Sequence, residues 1–186
     1  MPTLKGRPFL KSAPTFIAPY MAFSHSDENR VAWLIPVRGV LPWGGCTSGN
    51  LLDSSTGMSP PSEANEVLWT RTSLLRFWEY LLGLRSSGSQ GALGISFQVS
   101  KQANPASDVT SEIDQSLATT LTARIAISSV DYIKVYHDAR ASLYLRNAID
   151  AWSFQVVDDG GTQKWRMLKG AKLVLVDESS QGILVL

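Results

Sequence analysis

Short runs that alternate apolar and polar residues, separated by polar turns, fill the second half of the sequence. GISFQVS at 94–100 places its apolar residues at every second position, the pattern of a strand with one buried face. LATTLTARIAIS and VDYIKVYHD continue this pattern, and two hairpins are predicted, from WSFQVV to KWRML and from AKLVLVDE to ILVL. The intervening ASLYLRNAI fits a short helix or a strand. Strands at this spacing predict a mainly β (α+β) fold, an antiparallel sandwich or jelly-roll-like sheet of about seven or eight strands.

The segment RVAWLIPVRG predicts a further strand, one that is buried on both faces. Its residues from 31 to 35 are all apolar, so neither face carries the polar side chains that would mark it as solvated. Pro36 has no N–H to donate to a neighbouring strand. We therefore expect this strand to bend at Pro36 or to lie at a sheet edge there.

The segment SEANEVLWTRTSLLRFWEYLLGLR predicts one major amphipathic helix over 63–85. Ser62 precedes it as an N-cap, and glutamates occupy the first turn, where negative charge suits the helix dipole. The main apolar stripe consists of Val67, Leu74, Trp78 and Leu81. Other large side chains lie off that stripe, which indicates a helix covered on more than one side. They are the predicted interface residues of the helix: Trp69, Phe77, Tyr80 and Leu84.

The domain organisation follows from length and from the prolines. A chain of 186 residues suits one domain with an extension. Four prolines within the first 24 residues predict an extended arm at 1–24, ahead of a single β-rich domain at 25–186 that contains the helix. In the arm, Phe16, Ile17 and Tyr20 are predicted to dock on a neighbour. The stretch from 44 to 62 is predicted to be a loop, and such length is typical of a contact surface.

Charge and composition exclude several common functions. The 17 Lys and Arg residues nearly balance the 16 Asp and Glu residues, and no basic run occurs. Charge therefore does not indicate a nucleic-acid partner, although folding could still bring basic residues together into a patch. One cysteine and two histidines predict no disulfide, no metal site and no cofactor. No apolar run is long enough to span a membrane, and the start lacks a signal peptide's apolar core, so a cytoplasmic location or one within an assembled particle is predicted.

Catalytic chemistry has one candidate nucleophile. Cys46 lies in LPWGGCTSGN, and a cysteine becomes nucleophilic when a histidine or a helix N-terminus lowers its pKa. His25, with Asp27 close by, is one possible base; the other is His137, followed by Asp138, which gives the arrangement of Cys46, His137 and Asp138. Because a lone cysteine more often packs as a small apolar residue, we assign no catalytic residue, and keep these three only for an alternative function. None of the glycine-containing turns matches a phosphate-binding motif.

These observations favour a non-enzymatic structural protein that self-associates or joins other protein subunits. In element order, a β-rich domain with an extended arm and an inserted helix resembles small viral coat or matrix proteins, and this likeness implies a role within a particle. The alternative from another class is a small cysteine-dependent hydrolase or transferase that uses Cys46 and His137. A module that binds another protein through the helix fits the same apolar residues.

Overall fold

In the part of the chain that the structure describes, the fold is mainly β, with two helices and predominantly antiparallel strands. The computed structural model describes residues 30–52, 66–100, 127–158 and 161–186. In chain order the elements are β1 (Arg30–Arg38), β2 (Ser48–Leu52), β3 (Glu66–Thr70), α1 (Arg71–Ser87), β4 (Gly94–Gln98), β5 (Asp131–Asp138), α2 (Ser142–Ala151), β6 (Phe154–Asp158), β7 (Gly161–Trp165), β8 (Val174–Val176) and β9 (Gly182–Val185). A 3₁₀ turn at Ala139–Ala141 leads into α2.

Five of these strands form the main sheet, in the order β4-β5-β1-β8-β9, with every neighbouring pair antiparallel. The predicted strand at 31–35 is confirmed as the central strand β1, buried on both faces. Both predicted hairpins are confirmed as β6–β7 and β8–β9. The ambiguous segment ASLYLRNAI is helical and lies within α2.

One face of the sheet, which we call the helix face, carries the larger core. Trp33 of β1 lies opposite Val135 of β5 and Leu175 of β8, and all three point to this face. Both helices and strand β3 pack against it. The indole N–H of Trp33 donates to the Ser142 carbonyl at 3.0 Å, so the polar atom of this large side chain is satisfied at the start of α2.

The opposite face, the loop face, carries a smaller core. Leu34 and Val174 point to it, and the loop that follows β1 covers part of it through Leu41, Trp43 and Cys46. The Trp43 indole lies so close to Gly182 on β9 that a Cβ at that position would come within 2.2 Å of Nε1. Only glycine permits this approach, which brings the loop down onto the sheet.

The predicted helix at 63–85 is wrong at its start. Residues 66–70 form β3, which pairs in parallel with β2, and the helix runs from 71 to 87. Val67 and Trp69, two residues apart, are both buried, which is the period of a strand. The N-cap is Thr70, whose Oγ1 accepts from the Ser73 amide at 3.1 Å, while Thr70 N donates back to Ser73 Oγ at 2.9 Å. The proposed cap at Ser62 lies outside the described residues.

Two other predictions need correction. The predicted loop at 44–62 contains strand β2, and its residues from 53 onwards lie outside the described ranges. The prediction for Pro36, by contrast, agrees with the structure: β8 pairs with β1 only over Ala32–Leu34, so at Pro36 the described pairing is with β5 alone, and a register shift follows between Pro36 and Arg38. A sandwich or jelly roll is not confirmed, since helices rather than a second large sheet cover the helix face. The arm at 1–24 lies outside the described residues, and so does the predicted strand at 117–128 except for Ile127 and Ser128, which are helical and not extended.

Candidate interaction surface

Helix α1 buries one side in the core of the helix face. Phe77 and Leu81, four residues apart, are fully buried, as expected for positions that follow one another along one side of a helix. The Phe77 ring centroid lies 5.4 Å from that of Trp69 and 4.9 Å from that of Trp152, the latter at an edge-on angle of 63°. Such tilted and edge-on contacts between aromatic rings add to the stabilisation that burial itself provides.

The outer side of α1 is apolar as well. Leu75 has 57% of its surface exposed and Leu82 has 39%, while Leu74 and Trp78 are half-buried. These residues follow the i, i+3, i+4 spacing of one helix side. A surface helix normally places polar residues on this side, so this exposed stripe is unusual.

The stripe continues onto strand β4 and forms a groove with it. We call it the α1–β4 groove; it has a volume of about 340 Å³, and its lining residues are Arg71, Leu74, Leu75, Trp78 and Phe97. Phe97 lies on β4 and is 39% exposed, and the more exposed Val99 follows it. Strand β4 is the last strand of the main sheet, and among the described residues it pairs only with β5. The apolar groove therefore adjoins a strand whose other edge pairs with no described strand.

The structure places the predicted interface residues of the helix differently from the prediction. Trp69 and Phe77 are fully buried in the chain's own core, so they offer no surface to a partner. Tyr80 donates its hydroxyl to the Ala148 carbonyl at 2.8 Å and so joins α1 to α2, and Leu84 packs against the same core. The prediction is right for Leu81, which is fully buried, but it assigned Phe77 to the outer side, and Leu74 and Trp78 of the predicted stripe are only half-buried. Phe16, Ile17 and Tyr20 of the arm lie outside the described residues.

The alternative catalytic pair is not assembled. His137 on β5 lies opposite Val31, whose side chain belongs to the helix face, whereas Cys46 packs against the loop face. Directly opposed residues in a sheet point to the same face, so the backbone of the sheet separates the imidazole from the thiol. Burial raises the pKa of the Cys46 thiol, which disfavours the reactive thiolate. This arrangement cannot activate Cys46 through His137.

His137 instead has a structural environment. Its Nδ1 lies 2.9 Å from the Asp138 carbonyl oxygen, which can only accept, so Nδ1 carries the proton. Nε2 has no hydrogen-bond partner among the described residues. Burial lowers the pKa of His137 and outweighs the opposing effect of Asp138. The ring is therefore neutral near pH 7 and packs as part of the core.

Arg146 on α2 is a buried cation that the sequence did not single out. Its side chain donates to the Ala171 carbonyl, and its Nη1 lies 3.7 Å from Asp150 Oδ1. Asp150 also accepts from the Gly170 amide at 2.9 Å and pairs with Arg166. This network joins α2 to the segment that leads into β8. Its members contact one another, which indicates a structural role.

Among the residues that the structure describes, His, Cys, Asp and Glu side chains form no group of three that could hold a metal ion. No helix in the described ranges has both the length and the apolar character needed to cross a membrane. Comparison of the chain with known protein families, with curated proteins and with solved structures finds no match. The α1–β4 groove is therefore assigned as the candidate site from its own geometry.

Proposed function

We propose that this chain is a non-enzymatic assembly subunit and that it self-associates through the α1–β4 groove. The observation that supports the proposal is the exposed apolar stripe on α1, with Leu75 57% exposed, beside an exposed Phe97 on an edge strand. Exposed apolar surface of this kind is typical of a protein–protein contact. The likeness in element order to viral coat or matrix proteins stays a prediction within this proposal.

A second copy of the chain fits the groove because of its position at the sheet edge. The β4 strands of two copies can pair antiparallel, related by a two-fold axis that is perpendicular to the sheet. The main sheet then continues from one copy into the next. This operation keeps both helix faces on the same side, so the two α1 helices approach each other above the new strand pair. The Leu75 and Trp78 side chains of the two copies then cover one another, together with both Phe97 rings.

Charge is compatible with this arrangement. Arg71 is the single charged residue among the described residues that line the groove, and the formal net charge of the chain is +1. Two copies therefore repel each other only weakly. Twofold symmetric dimers are the commonest homo-oligomers, and residues at their axis meet their own copies, as Phe97 does here.

Sedimentation velocity across a wide range of concentrations tests the proposal. We expect the wild type to form a dimer or a larger oligomer as concentration rises. We expect Leu75→Glu and Phe97→Glu each to weaken the association about tenfold or more, because each places a charge where the interface excludes water. The matched control is Leu143→Glu on α2, which changes a 43% exposed leucine away from the groove.

Circular dichroism of the three variants establishes that each is folded. A wild type that stays monomeric at the highest concentration reached would contradict the proposal. An oligomer that Leu143→Glu weakens as much as Leu75→Glu does would contradict the assignment to the α1–β4 groove.

A further inference from the structure

A lysine lies buried on the loop face, away from the α1–β4 groove. Lys134 on β5 lies opposite Leu34 of β1, so its side chain leaves the sheet on the loop face. Only 7% of its surface is exposed. Lysine is among the residues least often buried, and it is rarely buried without a partner of opposite charge.

The contacts of the Lys134 ammonium do not balance its charge. It donates one hydrogen bond, to Ser180 Oγ at 3.1 Å, and lies 4.9 Å from the centroid of the Tyr136 ring. Among the described residues, no carboxylate pairs with it. An ammonium has three N–H donors, and an unpaired charge in the interior is costly. An anion near Ser180 would offset this cost.

A cavity of about 300 Å³ lies beside this lysine. The described residues around it include Gln98, Ile127, Ser128, Val130, Tyr132 and Ser180. The volume equals that of roughly ten water molecules in the liquid, which is enough for a small organic molecule. Ser180 connects the two features, because its hydroxyl lines the cavity and accepts the hydrogen bond from Lys134.

We propose that this cavity binds a small monocarboxylate with an apolar or aromatic body. Because Ser180 Oγ accepts from the ammonium, the Ser180 proton is left to donate to an oxygen in the cavity, and its donor strength is increased by the adjacent charge. Burial, and after it the neighbouring Tyr136, raises the pKa of Tyr132. The Tyr132 hydroxyl is thus a second donor that stays protonated at neutral pH.

The walls of the cavity select the rest of the ligand. Val99, Ile127 and Val130 offer apolar contacts, and the Tyr132 ring offers a flat surface. One lysine balances one negative charge, which matches a carboxylate. A phosphate group carries close to two charges and is typically held by arginine forks, and no arginine is among the described lining residues.

Titration of isotope-labelled protein with three probes tests the proposal: benzoate, its neutral analogue benzyl alcohol, and phenyl phosphate. We expect benzoate to saturate, in the millimolar range or below, with shifts of the amide signals of Ser128, Tyr132 and Ser180. We expect benzyl alcohol to bind at least about tenfold more weakly, because it lacks the charge that Lys134 balances. Phenyl phosphate is expected to bind no better than benzoate.

Lys134→Met keeps the apolar stem and removes the charge, and we expect it to weaken benzoate binding about tenfold or more. The matched control is Lys169→Met, which removes an exposed charge elsewhere and should leave binding unchanged. Tyr132→Phe is the second variant, with an expected loss of about fivefold, and it serves if Lys134→Met does not fold.

Three results would overturn the proposal. The first is equal affinity for benzoate and benzyl alcohol, or no saturation with either. The second is unchanged benzoate affinity in Lys134→Met or, if that variant is unfolded, in Tyr132→Phe. The third is tighter binding of phenyl phosphate than of benzoate, which would assign the cavity to a phosphate ester instead.

Discussion

The two faces of the main sheet are closed by different means. On the helix face, two helices and strand β3 bury three aromatic rings against one another, namely those of Trp69, Phe77 and Trp152. The Trp69 indole there donates to the Pro36 carbonyl at 2.9 Å, while His137 Nε2 has no hydrogen-bond partner among the described residues. On the loop face, a loop and a turn cover a smaller apolar cluster, and a buried lysine lies beside a cavity.

This difference in packing indicates that the helix face contributes most to stability and that the loop face carries the proposed ligand site. Close packing of large side chains gives the helix face most of the apolar burial, and it leaves little space for a ligand. The loop face carries a feature that costs stability, the buried Lys134 ammonium, which pairs with no carboxylate among the described residues. Features of that kind are found where a structure serves a purpose other than its own stability. Measurements that separate the two faces therefore test both the fold and the proposed ligand site.

The largest expected effect is on the helix face. Phe77→Ala removes the ring that contacts both Trp69 and Trp152, and we expect it to lower the free energy of unfolding by about 4–5 kcal/mol. Denaturant unfolding followed by tryptophan fluorescence measures this loss. Leu82→Ala, on the outer side of the same helix, is the control and should change stability by about 0.5 kcal/mol or less. Equal losses in both variants would show that α1 packs with its other side inward.

A matched pair of leucines compares the two faces directly. Leu145 on α2 and Leu34 on β1 are both buried, the first on the helix face and the second on the loop face. We expect Leu145→Ala to cost about 3–4 kcal/mol and Leu34→Ala about 2 kcal/mol, because a loop can move inward to fill the space more readily than a packed helix can. The same unfolding measurement gives both values, and a larger loss for Leu34→Ala would reverse the comparison.

The strands were predictable from the sequence because their patterns are local. β4 and β5 show alternation within one short run, the two hairpins show short runs joined by turn residues, and β1 is apolar from Val31 to Val37 because it lies at the centre of the sheet. Strand β2 could not be found in this way. SGNLL has little strand character of its own, and its partner β3 is reached only across the intervening residues 53–65. A parallel pair of this kind depends on contacts that no local pattern reveals.

The buried side of helix α1 was predicted only in part because apolar residues occur all round it. The pattern assigned Leu74, Trp78 and Leu81 to the core; Leu81 is there, together with Phe77, whereas Leu74 and Trp78 lie half-buried at the groove. A hydrophobic stripe identifies the buried side only when the other side is polar. Here the second apolar side is the feature that supports the proposed assembly, so the ambiguity in the sequence has a structural cause.

The chemistry of each face was also beyond what the sequence alone could establish. The residue types of Cys46 and His137 are compatible with a catalytic pair. The register of β5 against β1, however, places His137 on the helix face, opposite to Cys46 on the loop face. In VDYIKVYHD, Lys134 occupies the kind of position that an exposed lysine fills. Its burial depends on the turn that carries Ser180, more than forty residues later.

The smallest expected effect concerns the acid sensitivity of the helix face. Burial, the largest cause, lowers the pKa of His137 below its ordinary value of 6.5, and Arg30 acts in the same direction, while Asp138 opposes it. The unfolded chain therefore takes up a proton at this residue at a higher pH than the folded chain does. The free energy of unfolding should therefore begin to fall as the pH drops below about 6.5, the ordinary pKa of histidine. The contribution of His137 to this fall ends below its lowered pKa in the folded chain, and its slope is at most about 1.4 kcal/mol per pH unit.

Urea unfolding at about pH 7.5 and about pH 5.5 measures this dependence. His137→Gln should lose the part of the slope that His137 contributes, whatever its own stability, because glutamine does not titrate. His25→Gln, which replaces the only other histidine, should keep it. If His137→Gln and the wild type lose stability equally over this range, the proton uptake occurs elsewhere. The assignment of His137 as a neutral, buried imidazole would then be wrong. Such burial lowers the pKa of His137 in the folded chain, so the unfolded chain must be protonated at this residue at a higher pH.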